Sequence, residues 1–129
     1  MQVLLTGASG AIGSELAPAL AAAGCSVRAL ARRPERVTAE GISEVMVGDL
    51  STGAGVREAL EGAQVAYFLV HSMESGSSEE GFAERERRSA AGFAQACREA
   101  GVRRLCYLGG LVPPAAPASE HLASRLAVE

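Results

Sequence analysis

The chain predicts an α/β protein built on a doubly wound, five-stranded parallel sheet in the order 3-2-1-4-5. Three observations carry that expectation. Short apolar strands alternate with helical segments through five units; a run with three glycines joins the first strand to the first helix; and the fourth strand is apolar almost throughout, as a strand covered on both faces is. Right-handed crossovers leave few other topologies for such an alternation.

The elements follow in order. Val3-Leu4-Leu5 reads as a buried strand, and residues 11–23, closed by Gly24, read as a helix with Leu16 and Leu20 on one face. Pro18 lies inside that helix, where it bends the axis or is absorbed at a cost in stability. Ser26–Ala31 is the second strand, followed by the loop RRPER. Residues 44–47 form the third, ending at Gly48-Asp49, and Val56–Leu60 a short helix stopped by Gly62. Residues 64–70 form the fourth strand. Ser77 and Glu80 fit a capping box opening a long helix to residue 100, with Phe82, Ala90, Phe93 and Cys97 near helical spacing and residues 84–88 as a largely solvated charged face. Residues 104–108 form the fifth strand, the loop GGLVPPAAPAS follows, and residues 119–129 start a further helix without a cap.

With 129 residues, 48% hydrophobic and 21% charged, the chain is long enough for one core and too apolar to be disordered. A formal charge of −3 offers no basic field for nucleic acid or an anionic membrane. The opening apolar run stops at Thr6-Gly7, too short for a signal peptide or a membrane span, so a cytoplasmic protein is expected. Cys25, Cys97 and Cys106 are widely spaced, with no C-x-x-C and no histidine pair near them; buried thiols are expected, and no metal site. All twelve basic residues are arginine, and Asp49 is the only aspartate.

The glycine run carries the chemistry. Directly after a strand and opening a helix, Gly7 permits a tight turn, Gly10 lets backbone approach a pyrophosphate, and Gly13 lets helix and strand pack closely. Amides near Ala11 and Ile12, at the positive end of the helix, then face the phosphates. Thr6, Gly7, Ser9, Gly10, Ala11, Ile12 and Gly13 are therefore the first candidate cofactor-binding residues.

The spacing TGxxGxxG at Thr6, Gly7, Gly10 and Gly13 resembles the short-chain dehydrogenase/reductase superfamily in its extended or atypical branch. ALARRPERV, VGDL, AYFLVHSM and RRLCYLGGL are similar to the corresponding stretches of that branch, so the likeness runs along nearly the whole chain. FLVHSM in particular resembles a group that includes nitrogen-metabolite-repressor-like regulators and nucleoside-diphosphate-sugar epimerase relatives. The resemblance implies a Rossmann fold binding NAD(P) across residues 1–129, with the C-terminal strands and substrate-binding part that relatives carry missing. It implies oxidoreductase or epimerase-like activity on an unidentified small molecule in a longer form. The alternative is a non-catalytic NADP(H) sensor or scaffold. Relatives also pair through the helix after the fourth strand, which makes a homodimer an expectation.

Which dinucleotide is bound turns on the end of the second strand. A carboxylate there would accept from a ribose 2′-hydroxyl and repel a 2′-phosphate, but Arg32-Arg33 follows instead. If one charge-assisted contact contributes about 1.5 to 3 kcal/mol, NADP is preferred over NAD by roughly ten- to a hundredfold. A merely solvated loop is the alternative for the two arginines, and Glu35 is close enough to blunt the preference. The resemblance sets Asp49-Leu50 at the adenine, with helix capping by Asp49 as the rival. Val70, His71 and Ser72 leave the fourth strand where open α/β sheets bind ligands; His71 suits cofactor or substrate contact, catalysis, or anchoring of the loop.

In the family resembled, a tyrosine and a lysine four residues later on a helix transfer the proton, with a serine after the fifth strand. This chain has no lysine, both Tyr67 and Tyr107 fall in strands, and Gly109-Gly110 stands where the serine would be. The pair His121 and Arg125, four residues apart, could move a proton and hold a phosphate. The simpler reading is an exposed pair on a terminal helix.

Overall fold

The computed structural model describes residues 1–70 and 79–108. The elements are β1 (Gln2–Thr6), α1 (Ala11–Ala22), β2 (Ser26–Ala31), a one-turn 3₁₀ helix (Pro34–Arg36), β3 (Ile42–Val47), α2 (Val56–Leu60), β4 (Val65–Phe68), α3 (Glu79–Glu99) and β5 (Arg104–Tyr107). The five strands form one parallel sheet in the order β3-β2-β1-β4-β5, as the alternation predicts.

Strand alternation divides the core between the two faces of the sheet. Leu4, Leu30, Ala66 and Phe68 point to one face, where Val56, Ala59 and Leu60 of α2 and Phe93 and Cys97 of α3 cover them. The rings of Phe68 and Phe93 stand 5.4 Å apart, a tilted contact that anchors α3. Leu5, Val27 and Ala29 point to the other face, against Ala17 of α1. Pro18 stays within α1, so the proline is absorbed rather than ending the helix. Burial pushes the Cys97 thiol up to about 11, which keeps it protonated and inert. Cys25 and Cys106 are only half-buried, a correction to the expectation for all three.

Three differences from the sequence reading have a clear physical reason. β3 begins at Ile42 because Val27 of β2 pairs with it, across a register shift that carries the ladder past polar Ser43. β4 ends at Phe68 because the Leu69 amide leaves the ladder and donates to the Thr6 hydroxyl, 3.2 Å away. The third difference is in α3. Glu84 pairs with Arg87 and Arg88 on an exposed face as expected, but Glu86 is only 2% exposed and Ser89 is buried. Helical periodicity sets Glu86, Ser89, Phe93 and Cys97 on one inward stripe, so the run is not solvated throughout. The proposed capping Ser77 lies outside the described residues, as does the side chain of Phe82.

One arginine ties the layers together. Arg28 on β2 pairs with Glu44 of β3 at 2.7 Å, and its Nη1 donates to the carbonyls of Ala59 and Glu61 at 2.8 Å each. Those carbonyls belong to the last turn of α2 and the residue beyond it, where a cation opposes the negative end of the helix. Arg28→Ala strands them, and we expect it to reduce unfolding free energy by about 2 kcal/mol in a urea titration. Among the described residues, no helix is long and apolar enough to cross a membrane.

Candidate functional site

β1 delivers the chain to Gly7, whose φ of +74° favours glycine over any side chain. The Gly10 amide then donates to the Gly7 carbonyl at 3.0 Å, closing a turn that aims α1 back over the sheet. Gly10 is the N-cap of α1 in extended conformation, and Ser14 donates to its carbonyl at 2.9 Å as the first helical bond. The amides of Ala11, Ile12 and Gly13 therefore precede any intrahelical acceptor, and glycine brings no side chain to cap them. A Cβ on Gly13 would lie 2.1 Å from the Gly7 carbonyl oxygen, so the helix comes as near to the turn as backbone allows. Thr6, fully buried behind the turn, donates its hydroxyl to the Tyr67 carbonyl at 2.9 Å and accepts from Leu69. It fixes the distance between the exits of β1 and β4 instead of facing solvent.

These exits surround a cleft of about 460 Å³ at the carboxyl end of the sheet. Residues 7–10 form its head, residues 30–33 with Arg36 one rim, residues 48–51 a second, residues 68–70 a third, and Arg85, Glu86 and Ser89 of α3 its floor. Of the residues expected to bind cofactor, Gly7, Ser9, Gly10, Arg32, Arg33, Asp49, Leu50 and Val70 converge there. Ala11, Ile12 and Gly13 form the first turn of α1 beside the cleft, with Ile12 53% exposed and Gly13 buried. His71, Ser72, His121 and Arg125 lie outside the described residues.

The rim after β2 is strongly cationic. Pro34 starts the 3₁₀ turn, and the Arg36 amide closes it on the Arg33 carbonyl at 3.0 Å, which returns Arg36 to the cleft beside Arg32 and Arg33. Glu35 is exposed and is not among the residues that line the cleft. On the facing rim, Asp49 accepts from the Ser51 hydroxyl at 2.6 Å and the Ser51 amide at 2.8 Å. The hydroxyl bond above all outweighs the cost of burial, which ranks next, and with lesser help from the amide and the nearby Arg32 charge it holds the carboxyl below the ordinary value. The N-cap of α2 is Gly55, which removes the helix-capping alternative for Asp49.

Neither tyrosine reaches this cleft. Tyr67 points to the α1 face beside Cys106, where burial pushes its hydroxyl up, and Tyr107 packs its ring 6.0 Å from that of Phe68. Among the described residues there is no cluster of three histidine, cysteine or acidic groups to hold a metal. The sequence reading missed Arg36, Ser51, Arg85, Glu86 and Ser89 as cleft residues. The proline-directed turn in RRPER signalled Arg36; nothing in the acidic and basic pattern of α3 singled out Glu86.

A glycine turn that bares a helix mouth over a cleft at the switch between β1 and β4 is the arrangement that takes dinucleotides. The sequence profile of the NAD(P)H-binding family matches residues 7–121. The chain belongs to this family. Two curated relatives of this NAD(P)H-binding chain are a (4-alkanoyl-5-oxo-2,5-dihydrofuran-3-yl)methyl phosphate reductase of Streptomyces griseus and sterol demethylase protein B of Methylococcus capsulatus. The first is 39% identical over 124 residues, covering 95% of this chain and 39% of the relative. The second is 34% identical over 129 residues, covering 94% and 39%. The chain thus spans about two fifths of the length of each. Its fold matches that of a short-chain dehydrogenase/reductase superfamily protein of Agrobacterium tumefaciens solved with bound NAD, with a TM-score of 0.78 at 23% identity over 99% of this chain and 43% of that one.

Proposed function

We propose that this NAD(P)H-binding domain holds NADP(H) in preference to NAD(H), as the coenzyme-binding part of a reductase or epimerase-like oxidoreductase. The observation that carries the preference is the gathering of Arg32, Arg33 and Arg36 on one rim of the cleft, beside the helix mouth and with no acid at the exit of β2. In this reading the Ala11 and Ile12 amides receive the pyrophosphate while Gly7, Ser9 and Gly10 leave room for it. The guanidinium groups bind the 2′-phosphate, Asp49 and Leu50 meet the adenine, and Val70 with the following His71 and Ser72 borders the nicotinamide half. A bound dinucleotide supplies the hydride; the chain's part is to seat and orient it. The reductase named among the relatives supports reduction as the reaction class.

Calorimetric titration with NADP, NADPH, NAD and NADH tests the reading. The phosphorylated forms should bind about tenfold more tightly or better, and equal affinities would refute the preference.

A second reading, a non-catalytic NADP(H) sensor or scaffold, is favoured by one observation: the chain has no lysine, and neither tyrosine lines the cleft. The enzyme reading expects substrate-dependent oxidation of NADPH by a full-length relative, abolished by the counterpart of His121→Ala. The sensor reading expects binding without oxidation.

A further inference from the structure

We infer that Pro34 is a positioning residue for coenzyme choice: its ring presets the turn that holds the Arg33 and Arg36 guanidinium groups together, and so raises affinity for a 2′-phosphate without itself touching the coenzyme. The inference rests on the coenzyme reading above and concerns how the cationic rim is made ready before the coenzyme arrives.

Arg33 and Arg36 are both exposed, so side-chain packing does not fix where they stand, and the backbone between them has to. That backbone is anchored on either side. The Ala31 carbonyl at the end of β2 accepts from the Gly48 amide at 3.1 Å, and Val37 packs against the cluster of Leu5, Ala17 and Val27 on the α1 face. Between those anchors the chain is ordered by the one-turn 3₁₀ helix, through the bond from the Arg36 amide to the Arg33 carbonyl at 3.0 Å and that from the Val37 amide to the Pro34 carbonyl at 3.1 Å. An isolated turn of this kind is marginal by itself, because fixing the dihedrals of a first turn is not offset by its few bonds.

Proline removes much of that cost on both sides of its own position. Its ring holds φ at about −65°, inside the 3₁₀ range. It also bars the residue before it from helical dihedrals, and Arg33 accordingly stands outside the helical region at φ −126° and ψ 87°. The missing N–H is no loss at the first helical position, where there is no intrahelical acceptor. In a 3₁₀ turn, residues three apart stand one above the other, so Arg33 and Arg36 share the cleft side while Glu35 is exposed and is not among the lining residues. A phosphate dianion that bridges two guanidinium groups needs both at once. A chain that must first close the turn binds it more weakly, by the fraction of time the turn is formed. NAD has no 2′-phosphate and does not draw on the turn.

Calorimetric titration of the chain, Pro34→Ala and Pro34→Gly with NADP and NAD tests this. Each replacement loosens the turn further, so NADP affinity should fall about two- to threefold in Pro34→Ala and about five- to tenfold in Pro34→Gly, with NAD changed by less than about twofold. Arg36→Ala supplies a control that a general loosening of the chain would not pass. In that background Pro34→Gly should weaken NADP by less than about twofold, since one of the two groups that the turn positions is gone. An NADP to NAD ratio that both replacements leave at the parent value would overturn the inference. So would equal weakening of the two coenzymes, or a Pro34→Gly effect that persists in full without Arg36. Should Pro34→Gly fail to fold by circular dichroism, Pro34→Ala decides by the same ratio. An unaltered chain with no preference for NADP would instead sink the coenzyme reading itself.

Discussion

Gly13→Ala is expected to lower the thermal midpoint of unfolding by roughly 10 °C and to remove measurable dinucleotide binding. The added methyl would sit 2.1 Å from the Gly7 carbonyl oxygen and 2.8 Å from the Ala8 Cα, both backbone atoms that no rotamer change can clear. Relief requires α1 to move away from the turn by roughly 1 Å, at a cost of about 3 kcal/mol on the scale of overpacked cores. The same movement displaces the Ala11 and Ile12 amides from any phosphate they would bind, and displacements of this size are costly to an aligned site. Gly10→Ala is the informative companion. Its Cβ would meet the Gly7 oxygen at 3.3 Å from an extended backbone, so the fold should tolerate it. Its methyl nonetheless projects at the mouth of the helix, and binding should weaken with little change in midpoint. Differential scanning fluorimetry with and without NADPH separates the two effects, since bound ligand raises the midpoint by mass action.

Replacing Arg32, Arg33 and Arg36 together by alanine is expected to weaken NADP binding about a hundredfold while leaving NAD within about threefold. The three side chains share one rim, the 3₁₀ turn starting at Pro34 returns the third to the other two, and Glu35 does not line the cleft. A phosphate dianion accepts several guanidinium hydrogen bonds, so no single arginine should carry the whole preference. Salt should reproduce the effect in weaker form, because these guanidinium groups lie at an open rim where counterions compete. A triple variant that kept its preference for NADP would leave the cationic rim without a role in coenzyme choice. Loss of affinity for both coenzymes alike would mean that the arginines support the cleft and not the extra phosphate.

The sheet order, the helix positions and the glycine turn were legible in the sequence because each rests on local rules: period, punctuation and the conformational freedom of glycine. Gly7 and Gly13 occupy the strained turn and the close approach that their spacing implied. Arg32, Arg33, Asp49 and Leu50 were legible as strand exits, since a doubly wound sheet gathers its loops at one end. What escaped was decided by tertiary packing. Glu86 sits among five consecutive charged residues, and only the rotation of α3, set by Phe93 and Cys97 against the sheet, turns it inward. The truncation of β4 was hidden for a similar reason: the hydroxyl of Thr6 captures the Leu69 amide from a strand 63 residues away in sequence. The capping role open to Asp49 disappeared once Ser51 and Gly55 were seen to supply the local bonding.

A crystal structure of the chain grown with NADPH tests the central claim most directly. The account predicts the pyrophosphate within hydrogen-bonding distance of the Ala11 and Ile12 amide nitrogens, and the 2′-phosphate among the side chains of Arg32, Arg33 and Arg36. A dinucleotide bound with its phosphates away from the first turn of α1, or a helix mouth left vacant at saturating coenzyme, would contradict it.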